Sequence, residues 1–597
     1  MKKIQSIMKN VRSIIMLAAF VMSVVCCQKP EQSGDDNQGG KKPVLETVSV
    51  KADLKSTTAT TAVFSSVINL GEASSMPLNV FLRYSLSESM TGDDVKTVKL
   101  NSGSEDVKLT GLLFGRDYYY ETYIELYGTE YNKVKKSFKT NDLAINISTP
   151  EQSQYNVAFS GTLLGCGADD VNELALFLVI TEADGYEQEF RSELAADGKF
   201  SVSVQGLDIA TDYQYKGVVR QGELKSFEGE AKQLTTNDPY KDAVKTFASA
   251  TDLASAGSAN SYIVAAAGSY KFPTVKGNST ASVGAVAQVR ILWESVGTSV
   301  APAHKELVSA TGYKDGYAYI EIPSAYKEGN AVVAAYDSSN KILWSWHIWL
   351  TNDNIAEITY ANQAGIMMDR NLGALSADAN DPLALGLFYQ WGRKDPFLGS
   401  ASISQPVYAA ATRHLKVTLH TEQTSNVAFA VANPHKFVLG NANGDWLAIK
   451  DNSLWAASKT VYDPCPAGWR VPEGGYNGGL GESAMQDGIW AKAGFTRQGL
   501  TPFADGDNNK LGKVFASPFC TPETWYPAAG SIEYNTGNLC YVGVDGVYYS
   551  TSAFGGTDAH VTGLLFNYLP NSGGHYIYCG GEKFTRAGGA SVRCCKE

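Results

Sequence analysis

The stretch YDPCPAGWRVP, residues 462–472, places a single cysteine between two prolines. Pro464 and Pro466 each fix φ, so Cys465 lies in a stiff loop that presents its thiol in a defined direction. About 120 residues later the chain ends on SVRCCKE, residues 591–597, where an arginine directly precedes a cysteine. We interpret the two stretches as the two ends of one C-terminal module.

Four further motifs accompany these two stretches. They occur in the order MMDRNLGAL (367–375), LGLFYQWGRKDPF (385–397), WYPAAG (525–530) and GVYYSTSA (546–553). With the two cysteine stretches, the series resembles the Fibrobacter succinogenes major paralogous domain (FISUMP), over residues 354–597. The resemblance implies a C-type lectin-like fold, similar to that of formylglycine-generating enzymes, in which a small mixed α/β scaffold carries long loops.

The same resemblance implies that Cys465 pairs with Cys594. Disulfides persist in exported proteins, and closing a loop of about 130 residues stabilises by about 4 to 5 kcal/mol in the chain-entropy model. Four cysteines of the module are additional, and their three possible pairings stay open: Cys520, Cys540, Cys579 and Cys595. Cys166 stands alone upstream and is predicted to be a buried free thiol.

Residues 238–353 form a predicted all-β domain. All ten tryptophans lie beyond residue 290, and strand-like runs such as AQVRILWESV and KILWSWHIWL occur here. In LWSWHIWL, alternation places Trp344 and Trp346 on one face of the strand and His347 and Trp349 on the other. We therefore expect a strand that is covered on both faces, with His347 as a hydrogen-bonded, half-buried residue.

Upstream of this domain, the chain repeats itself with a spacing of about 95 residues. TGLLFGRDYYYETYIELYG (110–128) parallels QGLDIATDYQYKGVVRQG (205–222), and the copies end on FKTND and LTTND. Runs inside each copy alternate polar and apolar residues between turn residues, as the strands of a sandwich do. The repeats, residues 45–141 and 142–237, resemble fibronectin type III modules, and their tyrosines are interpreted as core.

Residues 1–26 are predicted to be a signal peptide, because basic residues precede an apolar run too short to span a bilayer. The run ends on Cys26-Cys27, which resembles the lipobox of bacterial lipoproteins, with Cys27 as the lipidation site and Cys26 as the alternative. An ordinary secretory signal is the other interpretation. Acyl chains would anchor the protein to the outer membrane. Residues 27–44 are predicted to be a flexible tether, whose SGDD resembles the surface-export signal of Bacteroides-type lipoproteins.

Charge and motifs argue against several classes of function. The formal net charge of −11 and the absence of a basic stripe disfavour nucleic acid as a partner. The seven histidines form no HxxxH or HExxH pair, and no CxxC, GxSxG or nucleotide-binding fingerprint occurs. DGDNN, residues 505–509, departs from the EF-hand pattern. The sequence therefore predicts a protein that is not an enzyme and holds no metal or cofactor.

The candidate ligand-binding surface is the C-terminal loop region, where aromatic residues are interspersed with small polar ones as in binding loops. The candidate residues are Tyr534, Tyr549, Phe554, His560, Tyr568, Tyr576 and Tyr578. We expect a surface-exposed, adhesin-like lipoprotein whose disulfide-stapled module binds a glycan or protein ligand. The alternative is a carbohydrate-active or protein-modifying enzyme, for which two carboxylates about 5 to 10 Å apart in a cleft would be the indication.

Overall fold

The protein is described by a computed structural model that covers residues 44–153, 156–183, 185–240, 247, 249–296, 304–352, 354–406, 416–474, 488–494, 512–515, 518–554, 559–569, 574–579 and 583–597. The predicted signal peptide, Cys26, Cys27 and the DGDNN run lie outside these residues. The chain forms two compact units, one with residues up to Ser56, Val63–Lys108 and Asp117–Phe138, the other with Thr57–Ala62, Leu109–Arg116 and Lys139–Glu597. No helix in the described part of the chain is long and apolar enough to cross a membrane.

The first unit is a sandwich of two antiparallel sheets. Its described strands are β1 (Ser49–Thr57), β2 (Ala62–Asn69), β3 (Leu78–Ser85), β4 (Lys96–Leu100), β5 (Gly103–Leu109), β6 (Asp117–Leu126) and β7 (Thr129–Lys139), with 3-10 helices at Val44–Thr47 and Gly71–Ser75. The sheet orders are β1-β2-β5 and β4-β3-β6-β7. Between the sheets, the ring of Phe64 lies 4.7 Å from that of Tyr120 and 5.4 Å from that of Phe138. The predicted fibronectin type III-like sandwich is confirmed, with Tyr120 in its core.

The second repeat has the same kind of core. Its described strands are β8 (Ala144–Ile147), β9 (Glu151–Ser153), β10 (Asn156–Leu164), β11 (Ala175–Thr181), β12 (Glu187–Leu194), β13 (Lys199–Gln205), β14 (Asp212–Gln221), β15 (Lys225–Glu228) and β16 (Lys232–Thr235). They pair in the order β15-β14-β11-β12-β13-β10-β8, with β16 on β14 and β9 on β10. Because β12 pairs with both β11 and β13, one strand passes between the two layers. Tyr213 and Tyr215 are buried, as predicted for core residues.

The third β region contains two four-stranded sheets. Its described strands are β17 (Thr251–Asp252), β18 (Ser261–Val264), β19 (Gly268–Pro273), β20 (Gln288–Ser295), β21 (Ala310–Lys314), β22 (Tyr317–Ile322), β23 (Gly329–Tyr336) and β24 (Ile342–Leu350). The sheet orders are β17-β19-β22-β21 and β18-β24-β23-β20. Trp344 and Trp346 pack inside this region, whereas Trp349 on the other face of β24 packs with Trp391 and other residues further along the chain. The prediction that both faces of β24 are covered is confirmed. Residues on either side of the predicted domain boundary at residue 353 pack in one hydrophobic core.

His347 is more deeply buried than the half-buried residue that alternation predicts. Only 1% of it is exposed, and its Nε2 lies 2.8 Å from Asn330 Oδ1 while its Nδ1 lies 3.0 Å from Ser261 Oγ. Burial lowers the pKa of His347 to about 3, so the ring is neutral at physiological pH. It is a hydrogen-bonded core histidine.

The C-terminal region, from residue 354 onward, is built on short strands. The described strands are β25 (Glu357–Tyr360), β26 (Gly365–Met368), β27 (Phe388–Gln390), β28 (Lys416–Thr418), β29 (Lys436–Val438), β30 (Trp469–Arg470), β31 (Gly512–Phe515), β32 (Cys520–Thr521), β33 (Thr524–Pro527), β34 (Ser531–Ile532), β35 (Leu539–Cys540), β36 (Asp545–Ala553), β37 (His560–Leu569), β38 (Gly574–Cys579), β39 (Phe584–Thr585), β40 (Gly589–Ser591) and β41 (Cys595–Lys596). The described helices are Val427–Ala432, Ile489–Lys492 and the 3-10 helix Pro382–Ala384.

These strands form one five-stranded sheet, one eight-stranded sheet and two pairs. The first has the order β30-β41-β26-β25-β32, and the second has the order β35-β34-β40-β36-β37-β38, with β27 on β40 and β39 on β37. The pairs are β28-β29 and β31-β33. The chain is thus mainly β, as predicted, and the mixed α/β lectin-like fold of this region stays a prediction.

Cys465 and Cys594 form a disulfide, as the family resemblance implied, and both residues are fully buried. Hydrogen bonds hold the loop that carries the first cysteine. The carboxylate of Asp463 accepts from the backbone N–H groups of Cys465 and Val471, each at 2.9 Å. Asn260 Nδ2 donates to the Asp463 carbonyl at 2.8 Å. The bridge therefore joins the chain end to a loop that is itself tied to the third β region.

No disulfide joins the other cysteines whose side chains the structure describes. Cys520 and Cys595 are buried and Cys540 is half-buried, while the side chain of Cys579 lies outside the description. Cys166 is free, as predicted, but half-buried. Among the described residues there is thus one disulfide, and the pairing of the four additional cysteines stays open because each of the three possibilities includes Cys579.

Candidate functional site

Two of the predicted ligand-binding residues belong to the core. Tyr549 is 2% exposed, and its hydroxyl oxygen lies 2.5 Å and 2.9 Å from the carbonyl oxygens of Thr585 and Gly588. Phe554 is 4% exposed. Tyr549 lies on β36 and Phe554 directly follows that strand. A ligand at the surface would not reach either ring, because both side chains are buried.

Four of the other predicted residues lie on strands β37 and β38 of the same sheet, and Tyr534 lies in the connection between β34 and β35. Tyr534 and His560 are partly exposed, and Tyr534 packs at the edge of the large core. Tyr568 lies on β37, while Tyr576 and Tyr578 lie on the neighbouring β38. The side chains of these three tyrosines lie outside the described residues. Of the predicted ligand-binding residues with described side chains, only Tyr534 and His560 are therefore partly exposed.

The structure offers a different candidate, a cleft of about 540 Å³. One wall comes from the second repeat, with Glu182 and the loop between β13 and β14. A second wall comes from β20 and the turn between β23 and β24, and a third from the residues that link the helix Val427–Ala432 to β29. Three parts of the second compact unit thus converge here. Small-molecule sites are frequently found at such junctions.

The second-repeat wall of the cleft carries a buried ion network. Lys416 Nζ lies 2.6 Å from Asp208 Oδ2 and 3.2 Å from Glu182 Oε1, and Lys436 Nζ lies 2.8 Å from Glu182 Oε2. The two lysines are register partners on the parallel strands β28 and β29, so strand pairing brings both ammonium groups to one acidic pair. His435 Nε2 completes the network at 3.3 Å from Asp208. Burial alone would raise the pKa of Glu182, but Lys416 and Lys436 together lower it.

The β20 wall of the cleft holds an arginine in a defined position. The guanidinium carbon of Arg290 lies 3.8 Å from the ring centroid of Tyr336, and its Nη2 donates to Asn340 Oδ1 at 3.2 Å. Asn340 has a φ of +69°, which suits an asparagine in a tight turn. In that turn, the carboxylate of Asp337 accepts from the backbone N–H of Lys341 at 3.0 Å. The turn thus fixes the amide that orients the arginine.

The two carboxylates of the cleft, Glu182 and Asp208, are held in ion pairs with Lys416 and Lys436. Glycoside hydrolysis requires one carboxyl group that is protonated and one that is ionised. Glu182 and Asp208 both contact the ammonium group of Lys416. Lys416 and Lys436 lower the pKa of Glu182 against the effect of burial, which favours the ionised form of that carboxyl group. Among the described residues, no group of three His, Cys, Asp or Glu side chains converges to hold a metal ion.

Sequence reasoning missed this cleft because its residues come from stretches about 100 residues apart in the chain. The local signals were weak. The turn DSSNK, residues 337–341, is visible in the sequence, as are Lys416 and Lys436 in short strands. Neither signal shows that the two lysines meet an acidic pair of another module.

Comparison with known proteins adds little to this picture. No protein-family model matches the chain, and neither does any curated protein. The chain is similar to a two-domain fibronectin type III segment of chicken tenascin, with 14% identity, 31% of this chain and 98% of that chain covered, and a TM-score of 0.17. It is also similar to the chicken interferon gamma receptor alpha chain, with 9% identity, 32% and 98% covered, and a TM-score of 0.18. Because these scores are low, the class of the protein, a multi-module β protein with fibronectin type III-like sandwiches, rests on strand pairing.

Proposed function

We propose that the protein is an exported, lipid-anchored surface protein of adhesin type that binds a glycan or protein ligand without catalysing a reaction. The observation that carries the proposal is the cleft of about 540 Å³. Its acidic pair, Glu182 and Asp208, is already paired with Lys416 and Lys436. Such a site can recognise a ligand by shape, charge and hydrogen bonds.

Export is supported by two independent features. The Cys465–Cys594 disulfide is completely buried, and disulfides of this kind persist in oxidising compartments. The N-terminal basic and apolar pattern ends on Cys26-Cys27, which is suited to lipidation. Membership of the FISUMP family is part of the same proposal, and the motif order and the bridge support it.

A carbohydrate-active enzyme is the competing proposal, since two carboxylates do lie in the cleft. The lowered pKa of Glu182, caused by Lys416 and Lys436 against the effect of burial, opposes the role of general acid. Incubating the protein with candidate polysaccharides and analysing the products would decide between the two. Hydrolysis that is abolished by Glu182→Gln would favour the enzyme.

The binding proposal is tested on glycan and protein arrays with the chain from residue 28 onward, which lacks the predicted signal peptide and the lipidation site Cys27 and is called the mature chain below. A fragment from residue 354 is unsuitable, because Trp349 and Val332 belong to the same core as Trp391. We expect retention of one class of ligand, and retention of none would contradict the proposal. The matched variant is Lys416→Met, which would distort the cleft and weaken the binding.

The anchor is tested separately, by fractionating cells that express the full chain. We expect Cys27→Ser, or the double variant with Cys26→Ser, to move the protein from the membrane fraction to the soluble fraction. Cys166→Ser is the control, because that thiol is free and part of the second repeat. A membrane-bound double variant would show that the anchor is not a lipidated cysteine of this pair.

A further inference from the structure

We propose that the cleft binds an acidic saccharide and that Arg290 receives its carboxylate. This inference rests on the proposed function, because it names the ligand class of the same cleft. It starts from Arg290, a residue on β20 whose guanidinium is held between the ring of Tyr336 and the side chain of Asn340.

The guanidinium of Arg290 has few hydrogen-bond acceptors around it in the described part of the chain. Among the residues that the structure describes, its buried Nε has no hydrogen-bond partner and no carboxylate forms an ion pair with the guanidinium. Arg220 shows the usual alternative, since its Nη1 donates to Glu189 Oε2 at 2.9 Å. An arginine that is oriented by stacking and by one amide, but lacks an anion, is prepared for a planar carboxylate of a ligand.

The charges around the cleft fit a ligand with one acidic group and several hydroxyl groups. Lys341 lines the same wall as Arg290 and adds a second positive charge. The acidic pair of the cleft is neutralised by its two lysines, as described above. Asp212 lines the second-repeat wall, where it accepts a hydrogen bond from Thr235 Oγ1 at 2.5 Å. Its remaining acceptor positions suit the hydroxyl groups of a sugar.

Size and lining favour a saccharide. A volume of about 540 Å³ lies within the range of about 300 to 1,000 Å³ for small-molecule sites, which excludes a folded domain as the occupant. Apolar side chains such as Ile291 and Ile342 lie beside the amides of Asn340 and Asn433. A sugar ring presents apolar faces and polar edges, so it can use both kinds of contact.

Isothermal titration of the mature chain tests the inference. The probes are trigalacturonate, a hyaluronate tetrasaccharide and sialyllactose, each compared with its methyl ester. We expect at least one acid to bind, and its ester to bind about tenfold more weakly or worse, because the charge-assisted hydrogen bonds are lost. Arg290→Gln should weaken binding of the acid to the same extent and leave that of the ester unchanged. Arg290→Lys should recover part of the affinity. Arg220→Gln is the matched control and should bind like the wild type.

Two results would overturn the inference. One is that none of the three acids binds, and the other is that acid and ester, or wild type and Arg290→Gln, bind equally. The wider proposal would survive either result if the arrays show a neutral glycan or a protein as ligand. Urea unfolding of each variant, followed by tryptophan fluorescence, identifies a variant that loses binding because it fails to fold. If Arg290→Gln fails to fold, the comparison of acid with ester in the wild type tests the need for the carboxylate, and the same comparison in Arg290→Lys tests the role of Arg290.

Discussion

Removing the Cys465–Cys594 disulfide should strongly destabilise the second compact unit. The bridge closes a loop with a sequence separation of 129 residues. In the chain-entropy model, such a loop contributes about 5 kcal/mol at about 25 °C by restricting the unfolded chain. The loss of packing by two buried sulfur atoms acts in the same direction. We therefore expect the double variant Cys465→Ala/Cys594→Ala to lose about 5 kcal/mol or more of its free energy of unfolding.

Urea unfolding of the mature chain, followed by tryptophan fluorescence, is the assay. All ten tryptophans lie beyond residue 290, so the signal reports on the unit that contains the bridge. With a slope of about 3 kcal/mol per M, the midpoint should fall by about 1.7 M or more. Cys540→Ala is the control, because it removes a half-buried free thiol of the same region. If the double variant and the control shift alike, by less than about 0.3 M, the reasoning is refuted.

The same assay tests three further predictions. Lys416→Met should lower the free energy of unfolding by about 3 to 5 kcal/mol, because it removes a positive charge from the buried carboxylates of the cleft. The control Lys314→Met, at an exposed position, should have almost no effect, and equal shifts of the two variants would contradict this prediction. Burial raises the pKa of Glu294 from 4.5 to about 7, so the folded state binds more protons than the unfolded state in that window and stability falls as the pH rises, by up to about 3 kcal/mol. Glu294→Gln should remove this component, and pH profiles that run parallel in wild type and variant would disprove it. Gly530→Ala should destabilise the protein by about 2 kcal/mol more than Gly468→Ala. Both glycines have a positive φ, but of the two only Gly530 has backbone near the position of a Cβ, at 2.2 Å from the Cys540 carbonyl oxygen. Equal destabilisation by the two substitutions would show that this contact is unimportant.

Local patterns in the sequence were sufficient for much of the fold. Alternation in LWSWHIWL predicted that both faces of β24 are covered, because side chains on a strand alternate strictly. The repeated tyrosines, such as Tyr120 and Tyr215, were placed in the sandwich cores for the same reason. The Cys465–Cys594 pairing came from the resemblance to a family, since spacing alone does not select a partner.

The candidate site was predicted less well. Tyr549 and Phe554 lie in a segment with the composition of a binding loop, yet both are buried. Composition describes which residues are present, whereas exposure depends on which face of the strand another segment covers. For Tyr549 that segment includes Thr585 and Gly588, which follow more than 30 residues later.

The sequence by itself indicated many of the strands, the repeat and the stiff cysteine loop, because each depends on residues that are near one another in the chain. Only the tertiary structure decided that Lys416 and Lys436 neutralise Glu182 and Asp208, and that Arg290 has no such partner in the described part of the chain. Ion pairs form between groups that are brought within a few ångströms. That proximity is produced by packing of distant segments, and no local pattern in the chain encodes it.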